Sequence, residues 1–175
     1  MARSKQYSNA LWLVIFLFTL DFVTKLATHF YLPLMSRQML WYPYGGIGVF
    51  RNVLGIEFSI VHATNQGAAW GVFADYQLVL TVLRVLFVGA LISYAWLYHQ
   101  KSRAKVPLML IICGATANII DYFIYGHVVD MFHFVFWGYD YPVFNVADST
   151  IFIGIAWLLF SSKAKKQAVR RKSRA

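Results

Sequence analysis

Hydrophobic residues along the chain gather in four blocks, at about 10–28, 78–98, 106–125 and 146–161. A helix needs about 20 apolar residues to cross a bilayer, so each block predicts a spanning helix, the last of them short. Between the first two the period changes. "GGIGVFRNVLGIEFSIVHATN" (45–65) mixes β-branched and aromatic residues in partial alternation, broken by glycines, and predicts a few short strands. A shorter connection, about 126–143, joins the last two blocks, and no internal repeat or flexible linker interrupts the pattern. The first block is too long for a cleavable signal peptide, lacks a small-x-small cleavage site, and ends among polar Asp21, Thr24 and Lys25.

Composition agrees with the pattern. The chain has 175 residues, of which 59% are hydrophobic and 13% charged. A soluble domain of this size has too little interior to hide so much apolar surface. Net charge is +9, which by itself would fit a nucleic-acid binder. The positions of the charges argue otherwise. Twelve of the sixteen Lys and Arg precede the first block, lie at 101–105, or follow the fourth in the basic tail 162–175. The opposite side holds only Arg37 and Arg51. This is the bias of the positive-inside rule, and it predicts cytoplasmic termini, with the loop 29–77 and the segment 126–143 outside. Trp41, Tyr42, Tyr44, Trp137, Tyr139 and Tyr141 add aromatic residues where the chain should meet the headgroups. Cys113 stands alone inside a block and reads as a small packing residue.

Four of the seven acidic residues interrupt apolar context: Asp21, Asp121, Asp130 and Asp148. An ionisable group inside a membrane costs about 2.5–3.5 kcal/mol at the centre, so each needs a reason. Asp21 and Lys25 are four apart and can neutralise each other on one helix face. Asn118 and Asp121 share a face three apart, after small residues that permit close helix approach, and suit packing and hydrogen bonding. Asp148, taken alone, suits the cap or first turn of the fourth helix. Asp130, in "VVDMFHF", has no cation near it in sequence. Two carboxylates brought together in a dry site share a proton, so one can act as base on water while the other protonates a carbonyl or leaving group. Asp130 and Asp148 are therefore the predicted aspartic-peptidase pair.

"DFVTK" (21–25), "NQGAAWG" (65–71), "GATANIID" (114–121), "GHVVDMF" (126–132) and "FNVADS" (144–149) occur in this order within the four blocks. The chain resembles the bacterial lipoprotein signal peptidase (signal peptidase II) family over nearly its whole length except the basic tail. The resemblance implies a metal-free membrane aspartic endopeptidase with no cofactor, which removes prolipoprotein signal peptides before a cysteine carrying diacylglycerol. It places catalysis on Asp130 and Asp148 and supporting roles on Asp21, Lys25, Asn65, Gly67, Asn118, Asp121 and Asn145. It also implies a β-cradle after the first span. Tyr122 stands where the family usually has arginine, and a phenol cannot supply that charge or its fork of donors.

The expected architecture is an all-α polytopic membrane protein of one peptidase domain, with four transmembrane helices and a small extracytoplasmic β-cradle. It would be a monomer in the bacterial cytoplasmic membrane, active towards the outer face, with prolipoproteins and lipid rather than nucleic acid as partners. Competing readings are a proton-coupled membrane transporter, a non-catalytic scaffold, and a metalloenzyme using His62, His127 and His133. Spacing argues against the last, since His127 and His133 do not form a helical i, i+4 ligand pair. His29 and His99 read as ordinary interfacial residues.

Overall fold

The computed structural model describes residues 2–36, 41–67, 76–98 and 104–172. Arg37, His99, Lys101, Arg103, Arg174 and residues 68–71 of "NQGAAWG" lie outside these ranges. The described chain runs α1 (Ala2–Tyr31), β1 (Ile47–Val53), β2 (Ile56–Asn65), α2 (Gln77–Tyr98), α3 (Lys105–Tyr125), β3 (Val128–Phe136), β4 (Tyr139–Asp140) and α4 (Val146–Lys172).

Among the described residues, three helical stretches are long and apolar enough to cross a membrane: Ser8–Tyr31, Gln77–Leu97 and Lys105–Tyr125. The apolar part of α4, Val146–Ser161, is shorter. These helices turn large apolar side chains outward, with Phe16 61%, Leu86 64% and Phe152 72% exposed. Water would penalise such faces, whereas hydrocarbon does not. Buried residues concentrate on α3, which packs against α1, α2 and α4. Glycine makes the α3–α4 approach possible. A Cβ at Gly114 would sit 2.4 Å from the Ala147 carbonyl oxygen, and one at Gly154 would sit 2.8 Å from that of Pro107.

The β-strands form one antiparallel sheet in the order β1-β2-β3-β4. Two tight turns set its edges: Leu54–Gly55 and Trp137–Gly138 each have positive φ at both residues, as two-residue hairpins require. The description "all-α" is therefore too narrow: a four-stranded sheet is part of the fold. The prediction also confined the strands to the first long loop. In fact β3 comes from the segment after α3, and it pairs along most of β2. Gly126 makes this possible by ending α3 in the left-handed conformation (φ 75°), its N–H bonded to the Tyr122 carbonyl at 3.0 Å. The register of β2 against β3 slips between Ile60 and Ala63, where Ile60 faces Phe132 and Ala63 faces Asp130. Three steps on β2 match two on β3, so Val61–His62 carries a β-bulge, and both of those residues are buried.

Candidate active site

Asp130 sits on β3, not at the end of a span, and is 2% exposed. Asp148 is half-buried in the first turn of α4. Asn145 joins them. Its side-chain amide donates to Asp130 Oδ1 at 2.7 Å, while its backbone N–H donates to Asp148 Oδ2 at 3.3 Å. The Asn145 Oδ1 in turn accepts the Asp148 N–H at 2.8 Å. That reciprocal pair is a capping box in which Asn145 is the cap and Asp148 the third-position acid. The helix start thus fixes Asp148 and leaves its second oxygen, Oδ1, to accept the Asn118 amide at 2.8 Å.

Asp130 Oδ2 accepts the Asn65 amide at 3.1 Å. Local geometry aims that amide: the Gly67 N–H donates to Asn65 Oδ1 at 3.1 Å, so the NH2 end must face Asp130. Arg84, a lone cation in α2, donates to the Gly67 carbonyl at 2.7 Å and completes the support from that side. The sequence reading assigned Arg84 no part here, although a single charge inside an apolar span is itself a signal. Both carboxylates, with Asn65, Asn118 and Arg84, line one cavity of about 860 Å³. Burial, and then the charge of Asp148, push the Asp130 carboxyl up to about 8. A proton on Asp130 near neutral pH follows.

A second polar group lies directly beside the first. Lys25, 1% exposed, holds Asp21 and Asp121 at 2.7 Å each and donates to Asn118 Oδ1 at 2.8 Å. Asp21 Oδ1 accepts the N–H of Ala147 at the start of α4 at 2.7 Å, tying α1 to that helix end. An ammonium only donates, so Lys25 forces Asn118 to turn its oxygen inward and its NH2 towards Asp148. All nine site residues singled out in the sequence fall in these two groups. Tyr122 does not reach them by any hydrogen bond among the described residues; its ring packs edge-on against Phe123.

His133 has its Nε2 on Asp140 at 2.5 Å, and among the described residues it is His29, not His133, that clusters with His62 and His127. His29 is likewise no ordinary interfacial residue, since it packs against His62 and Tyr125.

A buried carboxylate pair facing a cavity, held by amides on a membrane-type helix bundle, has the make-up of an intramembrane aspartic hydrolase. Comparison with known proteins narrows this. A family profile described as signal peptidase (SPase) II matches residues 13–163. A lipoprotein signal peptidase of Chlamydia pneumoniae is 35% identical over 152 residues, covering 85% of this chain and 87% of that one. One from Aeromonas hydrophila is 35% identical over 176 residues, covering 95% and 96%. A solved bacterial membrane enzyme shares the fold, with a TM-score of 0.76 over 91% of this chain and 90% of that one, at 24% identity. The chain belongs to the signal peptidase II family, aspartic endopeptidases that remove signal peptides from prolipoproteins. Nothing in these matches supports the transporter reading.

Proposed function

We propose that Asp130 and Asp148 are the catalytic carboxylates, cutting a prolipoprotein before its diacylglyceryl-modified cysteine. The observation that carries this is the sharing of Asn145: one residue holds both carboxylates, one by side chain and one by main chain, at the wall of one cavity. The first turn of α4 favours negative charge on Asp148, and Asp130, the more deeply buried of the two, is the better placed to hold the shared proton. In this reading Asp148 takes a proton from water as it attacks the scissile carbonyl. Asp130 donates its proton to the carbonyl oxygen, giving a tetrahedral diol. As the C–N bond breaks, Asp148 passes its proton to the leaving nitrogen and Asp130 takes one back from the diol, so the pair ends as it began. Asn65, Asn118 and Asn145 orient the acids. Gly67 aims Asn65, and Asp21, Lys25 and Asp121 brace Asn118 and the start of α4.

The substrate is itself an apolar helix with a lipid beside the bond, which suits a cavity bounded by α2, α3 and the sheet. The enzyme is read as a single-domain monomer that crosses the bacterial cytoplasmic membrane four times. The charge bias supports cytoplasmic termini, with sheet and site towards the outer face. Cysteine labelling tests this orientation. Ser59 is unsuitable for it, being 1% exposed, but Leu54 at the β1–β2 turn is 87% exposed. An impermeant reagent applied to cells with a permeabilised outer envelope should label Leu54→Cys and not Ser102→Cys; the reverse result would invert the topology.

Cleavage of a lipidated precursor tests the chemistry. Asp148→Asn keeps an oxygen for the Asn145 N–H, so the capping box and the fold should persist. Asp130→Asn and Asp148→Asn should each lower turnover by about 10³–10⁴-fold or more, and the double variant should be no worse, because the two act as one unit. Turnover near the wild-type level in either single variant removes this assignment.

A further inference from the structure

Three histidines far apart in sequence meet where the end of α1, the bulge of β2 and the turn from α3 into β3 come together. His29 is in the last turn of α1, His62 on the bulge, and His127 follows Gly126. Each ring offers one nitrogen to a set whose members all lie within 4.8 Å of one another. Ring centroids are 5.4 Å apart for His29 and His62 and 6.4 Å apart for His29 and His127.

Their hydrogen bonding is incomplete in a specific way. His62 is 4% exposed, and its Nδ1 faces the Leu32 carbonyl at 3.1 Å. A carbonyl only accepts, so Nδ1 carries the proton and Nε2 presents a bare lone pair. Among the described residues that Nε2 is buried without a partner, and so are His29 Nδ1 and His127 Nε2. A buried imidazole nitrogen with no partner carries a desolvation cost that nothing repays. Three such histidines gathered within 4.8 Å of one another make no sense as packing, which phenylalanine would do without that cost. The Tyr125 hydroxyl is a fourth buried polar atom without a partner, and its ring lies 4.6 Å from that of His29.

We propose that His29, His62 and His127 form a binding site for a divalent transition-metal ion, zinc by the chemistry of three neutral imidazoles, separate from the aspartate pair. Metal-binding histidines are oriented by a hydrogen bond from the far ring nitrogen to a carbonyl, which is what Leu32 supplies to His62. Nitrogens at about 2.0–2.1 Å from a tetrahedral ion lie about 3.4 Å from one another, so small ring rotations from the observed spacing close the site. A fourth position remains for water, with the Tyr125 hydroxyl nearby to bond it. Because His127 directly precedes β3, which carries Asp130, and β2 carries both His62 and Asn65, a bound ion would pin both strands beside their active-site residues. The ion's role is structural: it stabilises the platform and takes no part in bond cleavage.

The test uses the purified full-length chain in detergent, stripped with chelator and titrated with zinc chloride against a chromophoric competitor. One ion should bind per chain with a Kd below about 1 μM, and His29→Gln, His62→Gln and His127→Gln should each weaken binding by at least about 100-fold. His133→Gln should leave binding unchanged. Zinc should raise the unfolding midpoint of the wild type and of His133→Gln, and fail to raise that of His62→Gln. Should the ligand variants not fold, cobalt chloride added to the wild type decides alone: intense tetrahedral d–d bands support the site, and weak octahedral bands overturn it. Unchanged zinc affinity in folded His62→Gln also overturns it.

Discussion

Two pairs of buried aspartates lie next to each other and are satisfied by different chemistry. Asp21 and Asp121 flank an ammonium, Lys25, at 2.7 Å each. Among the described residues, Asp130 and Asp148 receive only amide donors: Asn65 and Asn145 on one, Asn118 and the Asn145 main chain on the other. A buried carboxylate against an ammonium is paired charge to charge, and removing its countercharge is costly. One held by neutral amides keeps its place in either protonation state, because the amide still donates to the remaining acceptor oxygen. The first pair is therefore a brace and the second can carry a proton. Asn118 is the boundary between them. It gives its oxygen to Lys25 and its NH2 to Asp148, so the brace sets the direction of a donor in the site without placing a full positive charge against it.

The brace predicts the larger effect. Lys25→Met leaves two buried carboxylates without a countercharge and should lower stability by about 3–5 kcal/mol. The neutral triple variant Asp21→Asn, Lys25→Met, Asp121→Asn keeps acceptor oxygens for the Ala147 and Val129 N–H groups and should recover most of that loss. Cleavage should recover less than stability, since only the 3.2 Å bond from the Asn145 amide to Asn118 Oδ1 then fixes which end of Asn118 faces Asp148. Chemical unfolding in detergent, run beside the cleavage assay, reads both. A triple variant no more stable than Lys25→Met would mean that the cost lies in packing rather than charge. A triple variant with full activity would break the proposed link through Asn118.

The brace was partly legible in the sequence. Asp21 and Lys25 lie four apart on a helix, so their pairing follows from helical geometry alone. That Lys25 also meets Asp121 required α1 and α3 to pack in one particular register, which spacing along either helix does not encode. Hydrophobic blocks located the helices because lipid-facing residues must be apolar all round. Strand β3 was missed for a physical reason. "VVDMFHFVF" is rich in β-branched and aromatic residues, but it is buried too continuously to alternate, and an outer segment between spans suggested a loop. Asp130 therefore had no element assigned to it, when a sheet in fact carries it in. The histidine cluster left no sequence signal at all. His29, His62 and His127 belong to three separate elements, and a bulge that no local pattern announces turns His62 inward.

The amide-held pair predicts a smaller, pH-dependent effect. Asn65 is, among the described residues, one of two side-chain donors to Asp130, and its bond to the carboxylate that Asp130 becomes on giving up its proton is worth about 1.5–3 kcal/mol. Asn65→Ala should slow cleavage by about 10–100-fold at neutral pH while leaving stability nearly unchanged, because the brace is untouched. The sign of the pH effect follows from the bond removed. An amide donor favours the carboxylate, so its loss raises the Asp130 carboxyl further above about 8, where burial and the charge of Asp148 have already placed it against the opposing charge of Lys25. Cleavage needs the shared proton, and that proton is lost as pH rises through this value. The alkaline limb of the cleavage profile should therefore fall near pH 8 in the wild type and move to higher pH in Asn65→Ala. A limb that stays put, or moves to lower pH, would show that Asp130 is not the proton carrier, and the contrast between the two aspartate pairs would fail at its central point.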